Sequence, residues 1–205
     1  MKKAILFCLF LLIAQVVQAE DFKGKFMLSF KTGDFGSFED RITKSTFLGS
    51  QVDYFIGNRT LVGFNLNYME YIYLGHSGIH PAYYGVPIGL QPKWRWYSIG
   101  LSGKLLFAKT RFSPFLKLGL GLYIPQVTSH REGNPDIANS FTLEKTYGKT
   151  CLGYNFGIGI QYRFWSRFGL LLEGTIEQID NKNKYLSSNS FFTFGSLQGG
   201  ISLIF

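Results

Sequence analysis

The sequence predicts an all-β fold, an antiparallel up-and-down barrel of roughly eight strands that crosses a membrane. Three observations predict it. Large apolar residues alternate one for one with small or polar residues along most of the chain. The connections between the alternating runs are short and long in turn. Aromatic residues gather near both ends of the apolar faces.

The length of 205 residues is enough for one domain. With 46% hydrophobic and 17% charged residues the chain is too apolar for disorder. Aromatics at 18% favour strands over a helical bundle. The first element is a leader. Met1-Lys2-Lys3 is a short positive segment, residues 4–17 are almost wholly apolar, and Val17-Gln18-Ala19 offers small residues ahead of Glu20-Asp21. This is the layout of a secretory signal peptide over residues 1–19, cleaved after Ala19, which leaves residues 20–205 as the barrel domain. The apolar run is shorter than the roughly 20 residues of a spanning helix. Cys8 would leave with the leader, so Cys151 has no partner for an internal disulfide. The net charge of +8 becomes +6 without Lys2 and Lys3. On an exported chain the expected counter-charge is anionic lipid, not nucleic acid.

Eight strands are expected at 24–32, 45–56, 60–73, 93–107, 111–124, 150–164, 169–180 and 191–205. The first three are marked by Phe26, Leu28 and Phe30, by Leu48, Val52 and Tyr54, and by Val62, Phe64 and Leu66. The fourth alternates Tyr97, Ile99 and Leu101 with Ser98, Gly100 and Ser102, and the fifth runs Leu116, Leu118, Leu120, Leu122, Ile124. The clearest run alternates Leu152, Tyr154, Phe156, Ile158, Ile160, Tyr162 and Phe164 with Gly153, Asn155, Gly157, Gly159, Gln161 and Arg163. Leu170, Leu172 and Ile176 mark the seventh strand, and Leu197, Ile201, Leu203 and Phe205 the eighth. Gly57-Asn58-Arg59, Ala108-Lys109-Thr110 and Trp165-Ser166-Arg167-Phe168 are tight turns. Long loops are expected at 33–44, 74–92, 125–149 and 181–190. Short turns at one end and long loops at the other describe a membrane barrel with its termini on the short-turn side.

Alternation leaves open which face points outward. Eight strands enclose a lumen just wide enough for side chains, and the Gly- and Ser-rich face suits that space. Aromatics are expected as two girdles, Tyr68, Tyr71, Tyr73, Trp94 and Trp96 toward the loops, and Phe107, Phe164 and Trp165 toward the turns. The chain ends at Phe205 on the apolar face of a strand. That ending, with the alternation and the loop pattern, resembles the small outer-membrane β-barrel superfamily of Gram-negative bacteria, with its OmpA-, OmpX- and OmpW-type domains. The resemblance implies an outer-membrane, cell-surface location and a C-terminal insertion signal at Phe205 read by the barrel-insertion machinery.

The inward list contains Asp53, Glu173 and Glu177 and also Lys104, Lys117 and Arg163, three acids against three bases. Charges in so narrow a lumen must pair. A network is expected, with Asn65, Asn67 and Gln198 adding hydrogen bonds and with Arg163 near Glu173 across a tight turn. It reads as a structural plug or, alternatively, as a gated ion path. A glycosidase-like pairing of Glu173 and Glu177 would leave no room for substrate. Lipid A modification would need His and Ser near the loops, where His76, Ser77, His80, Ser129 and His130 lie, but no G-x-S-x-G elbow accompanies them. No metal, cofactor or catalytic residue is expected. Loop bases such as Arg41, Lys44, Arg131 and Lys145 could meet lipopolysaccharide phosphates or only solvent, and the apolar segment Pro81 to Pro92 could meet a partner or the membrane. The function expected is a non-enzymatic, monomeric barrel with a plugged polar lumen and a structural or surface-interaction role through its long loops. The alternatives are an OmpW-like passage for small hydrophobic molecules and a lipid A-modifying enzyme.

Overall fold

The computed structural model describes residues 21–37, 40–76, 93–132, 141–180 and 191–205. The expected leader, Ser77, His80, the Pro81 to Pro92 segment and the expected 181–190 loop lie outside them. The described residues form nine strands: β1 (Phe26–Ser37), β2 (Asp40–Phe55), β3 (Thr60–His76), β4 (Lys93–Leu106), β5 (Phe112–Glu132), β6 (Phe141–Tyr147), β7 (Cys151–Arg163), β8 (Phe168–Asp180) and β9 (Phe191–Ile204). They make one sheet in the order β4-β3-β2-β1-β9-β8-β7-β5-β6, and a further β4–β5 pairing closes eight of them into a barrel. Every pairing is antiparallel, and closure leaves the barrel wall without a free edge.

The ninth strand is not an extra stave. β5 pairs with β7 up to Tyr123↔Cys151 and with β6 from Gln126↔Tyr147 onward. The two registers differ by one residue, so Gly148-Lys149-Thr150 is a bulge that joins β6 to β7 along the same edge of β5. The Gly148 N–H donates to Pro125 O at 3.0 Å. Two of the expected long loops are therefore strand over much of their length. β5 runs to Glu132 and β6 begins at Phe141, within the 125–149 segment, while β1 runs to Ser37 and β2 starts at Asp40, within 33–44. The reason is length. β5 has 21 residues, about twice the 9–11 that cross the hydrocarbon. A ribbon beyond the bilayer needs no apolar face, and Lys145, Thr146 and Tyr147 are all exposed.

The apolar rows point outward. Leu101, Leu120 and Leu197 are each exposed by more than 60% (67%, 62% and 63%), and similar residues surround them on every barrel strand. No soluble surface carries such a continuous apolar band, whereas a lipid-facing one must. Midway along the barrel the inward rows hold small and polar residues, and burial alternates along β4 and β7.

Three of the expected girdle residues are misplaced by the sequence reading. Tyr71, Trp94 and Trp96 are buried inside the barrel. Trp94 and Trp96 share the parity of Ser98 and Ser102, and Tyr71 that of Asn65 and Met69, so the strand pleat sends them into the lumen. Outward at this level stand Tyr68 and Tyr97, with rings 5.4 Å apart, and Tyr154. Tyr73 lies in β3, its side chain outside the described residues. At the turn end Phe107, Phe164 and Trp165 face outward, with Trp165 packed between Phe164 and Phe168. Phe205 is exposed beside Phe26, each backbone N–H donating to the other's carbonyl at 2.9 Å.

Candidate functional site

The lumen is built in three layers. Next to the turns, Phe22, Met27, Phe55, Leu61, Leu106, Phe115, Leu171 and Ile204 form an apolar cluster. Phe22 comes from the segment before β1 and turns under the barrel, stacked on Phe55 at 5.3 Å. Asn58 Oδ1 accepts from the Phe22 and Lys23 N–H groups and holds that segment in place.

Above it lies the charged belt. Glu173 of β8 accepts from Lys117 of β5 at 2.6 Å and from Lys31 of β1 at 3.2 Å. Lys31 also donates to Gln51 Oε1 at 3.2 Å. The Gln51 amide donates to Asp53 Oδ1 at 2.6 Å and to Ser102 Oγ at 3.2 Å. Asp53 Oδ2 accepts from Lys104 of β4 at 3.0 Å. These contacts form one line, Lys117–Glu173–Lys31–Gln51–Asp53–Lys104, which crosses the lumen and ties β1, β2, β4, β5 and β8 together. All six side chains are buried. Excluded water makes each pair electrostatically strong, and leaving one member unpaired is costly for the same reason.

Glycines make room for the belt and its floor. Gly63 pairs with Asp53 across β2–β3, and a Cβ there would fall on Asp53 Oδ1. Gly159 faces Phe115 across β5–β7, where a Cβ would enter the Phe115 ring. Lys104 lies over the other side of that cluster, its Nζ 5.0 Å from the Phe115 centroid.

The belt's membership differs from the sequence expectation at one base. Arg163 is buried but lies lower, donating to Thr110 O at 2.7 Å and Lys109 O at 3.3 Å, with its guanidinium 4.2 Å above the Phe22 ring. It does not meet Glu173. Arg163 pairs with Gly169 at the foot of the β7–β8 hairpin, and Glu173 stands four residues further up, opposite Gly159. Lys31 fills the role expected of Arg163. Its signal was present, because Met27, Ser29 and Lys31 alternate with Leu28 and Phe30.

Glu177 sits one step higher and accepts from Tyr123 Oη at 3.0 Å. Asn67 donates to Ser98 at 3.1 Å and to Asn65 at 3.4 Å. Gln198 donates to Ser196 at 2.7 Å and to Thr175 at 3.1 Å. Asn155 Oδ1, Gln161 Oε1 and Gln198 Oε1 find no donor among the described residues, which leaves the lumen around the belt capacity for bound water.

The third layer faces the loops. Phe35, Phe47, Met69, Tyr71, Trp94, Trp96, Tyr123, Cys151, Ile179, Phe192 and Phe194 form one buried cluster. Some of its rings meet edge to face, as Trp96 with Phe192 at 5.5 Å and Phe35 with Phe194 at 5.8 Å, and others stack, as Tyr71 with Trp94 at 6.0 Å. Cys151 is buried here, its Sγ 3.3 Å from Lys149 O.

Outside the lumen, Glu70 and Arg95 form an ion pair at 2.6 Å on the loop end of the wall, and Tyr68 Oη donates to the same carboxylate at 2.7 Å. Ser129 and His130 are consecutive positions of β5, paired with Glu144 and Leu143 of β6. Among the described residues no three His, Cys, Asp or Glu side chains come together as a metal site.

The family model of the outer membrane protein beta-barrel domain matches residues 4–205. No curated protein matches the chain significantly. Among solved structures, Neisserial surface protein A superposes with a TM-score of 0.59 at 16% identity, covering 88% of this chain and 99% of that one. A major outer membrane protein from Thermus thermophilus gives 0.57 at 11% identity, over 89% and 99%. The attachment invasion locus protein Ail of Yersinia pestis, solved in complex with the heparin analogue sucrose octasulfate, gives 0.50 at 13% identity, over 89% and 99%. At these identities the likeness is one of fold.

Proposed function

The chain belongs to the family of outer membrane protein beta-barrel domains, and from that premise we propose that it is a non-catalytic, non-conducting barrel whose lumen acts as a structural plug and whose interactions run through its loop end. One observation carries the reading. The line from Lys117 to Lys104 spans the lumen with buried, mutually paired side chains, between an apolar layer below and an aromatic layer above. An ion entering this path would meet ring packing first and then charges already neutralised by one another. Planar-bilayer recording tests this. The expected trace shows no unitary steps, and reproducible steps that respond to substitution of Lys31 or Glu173 would overturn the reading.

Outer-leaflet lipid, including lipopolysaccharide, is the proposed neighbour of the loop end, and a monomer the proposed state. Catalysis on lipid A has no assembled nucleophile and base among the described residues. Mass spectra of lipid A from cells with and without the protein should be identical, and a protein-dependent modification would reverse that view.

A second reading has the aromatic layer in its favour. An apolar upper lumen is what a passage for small hydrophobic molecules requires, and Trp94 and Trp96 would report on it. In a Trp165→Phe background, titration with a small brominated hydrocarbon should leave their emission unchanged if the layer is a plug. Saturable quenching would favour the passage.

A further inference from the structure

The short-turn end carries charge outside the belt, and of it Lys25 also lies against the lumen's floor, its Nζ 5.3 Å from the Phe22 ring centroid. Every barrel strand that rises from this end is preceded by a basic residue: Lys25 before β1, Arg59 before β3, Arg111 before β5 and Arg167 before β8. All four are exposed, and Lys23 and Lys109 stand beside them. Backbone hydrogen bonds hold the three arginines in place. Arg59 O accepts from the Leu106 N–H, Arg111 O from the Arg163 N–H and Arg167 O from the Ile204 N–H, each at 2.7 Å. Each bond ties a turn to the neighbouring hairpin or strand, so the cations occupy one level around the barrel.

Little at this level opposes them. Asp21 is the one acidic side chain among the described residues here, and its Oδ1 accepts from the Lys23 backbone N–H at 3.1 Å. None of the six bases makes an ion pair with another described residue. Directly toward the membrane, Phe26, Phe107, Phe112, Trp165 and Phe168 face outward. The loop end is different. Arg95 is paired with Glu70 there, and the chain interleaves Glu39, Asp40, Glu132, Asp136 and Glu144 with its loop bases. The excess positive charge of the barrel is therefore concentrated at the turn rim.

We propose that this rim is a binding surface for the anionic phospholipid headgroups of the leaflet it stands in, with one exposed cation per rising strand set at phosphate depth above an aromatic collar. Aromatic rings settle at the interface and fix that depth. A guanidinium there presents a planar fork matched to phosphate oxygens, and basic residues at a membrane surface draw anionic lipid.

Quenching by brominated phospholipid tests the proposal. The chain has three tryptophans. Trp94 and Trp96 are enclosed, whereas Trp165 is 68% exposed, two residues from Arg167, so lipid-borne bromine reads Trp165. The barrel, expressed from the full chain and purified from outer membranes, is reconstituted in mixtures of phosphatidylcholine and phosphatidylglycerol with one or the other brominated. Phosphatidylglycerol is expected to occupy the sites around Trp165 at least ~3-fold more strongly. That preference should shrink toward unity in about 1 M salt, where the Debye length is about 3 Å. The variant Lys25→Gln/Arg59→Gln/Arg111→Gln/Arg167→Gln should lose the preference, and Arg167→Gln alone should lose part of it. Lys93→Gln/Lys145→Gln, at the loop end, should keep it. Heat-modifiable migration on a denaturing gel verifies that each variant is a closed barrel. Equal quenching by the two lipids in the unaltered protein overturns the proposal and would turn attention to an acidic protein as the rim's partner. A preference that survives the fourfold variant also overturns it, as does an unchanged preference in Arg167→Gln should the fourfold variant not fold.

Discussion

The charged belt and the aromatic cluster above it fill the same cylinder a few residues apart, and they fill it by opposite means. In the belt, long side chains from five strands reach across and end on one another, as Lys117 and Lys31 both end on Glu173. In the cluster, rings such as Trp96, Phe192 and Phe194 meet edge to face or stacked, with no polar bond between them. The belt fails when a charged member is lost, because a buried charge is left uncompensated. The cluster degrades by degrees, because each ring keeps most of its neighbours when one is trimmed. A narrow barrel thus combines a component that specifies one arrangement with a component that tolerates several.

The largest effect should come from Glu173→Gln. It preserves shape but leaves Lys31 and Lys117 as adjacent uncompensated cations, an expected loss of about 3–5 kcal/mol. Urea unfolding of the barrel in lipid vesicles, followed by tryptophan emission, measures it. A loss under about 1 kcal/mol would mean that water reaches the belt and screens it. Next comes the outer wall as a control for position. Leu120→Arg places a charge near the middle of the lipid-facing band, and about 2–4 kcal/mol should be lost in vesicles. The same assay reads both, and a larger loss for Leu120→Arg than for Glu173→Gln would reverse the ranking of lumen over wall. A third test isolates one pair. Asp53→Ala and Lys104→Met should each destabilise alone, and the double variant should recover about 1–3 kcal/mol of their sum. Strict additivity would show that the 3.0 Å contact contributes nothing on its own.

The same contrast explains what could be read in the sequence. The outward rows were legible because period two is unbroken from Leu116 to Ile124 and from Leu152 to Phe164. Lys104, Lys117 and Glu173 could be placed inside by the same parity. Trp94 and Trp96 obey that parity too, but the expectation that large aromatics belong to an interface girdle overrode it. Parity also says nothing of height or of the partner across the lumen. Arg163 and Glu173 share a face, yet the hairpin register sets them four residues apart, and Lys31 reaches Glu173 from a strand 142 positions away in the chain. The β5–β6 ribbon was illegible for a different reason. Beyond the bilayer no row has to be apolar, and the buried positions there are polar, Gln126 and Thr128, so the apolar–polar alternation that marks a strand is absent, and Pro125 and Gly148 read as loop punctuation.

The smallest effect should come from Trp96→Phe, and its sign is informative. The indole is wholly buried among Phe192, Phe194 and their neighbours, so a smaller ring leaves a void and gives up dispersion contacts. Against that, Trp96 Nε1 has no hydrogen-bond partner among the described residues, and an unmet buried donor is itself destabilising. Phenylalanine removes the void-filling atoms and the unmet donor together. The two contributions are each about 1–2 kcal/mol and opposite in sign, so the net change should fall within about 1 kcal/mol. Trp96→Leu removes the same donor but also the ring's edge-to-face contacts, and should cost about 1–2 kcal/mol more. If Trp96→Phe proves as damaging as Glu173→Gln, the indole N–H is making a bond, to water or to a loop residue, and the loop end of the lumen is polar after all. That result would remove the distinction between the two layers and take with it the apolar upper lumen that a hydrophobic passage requires.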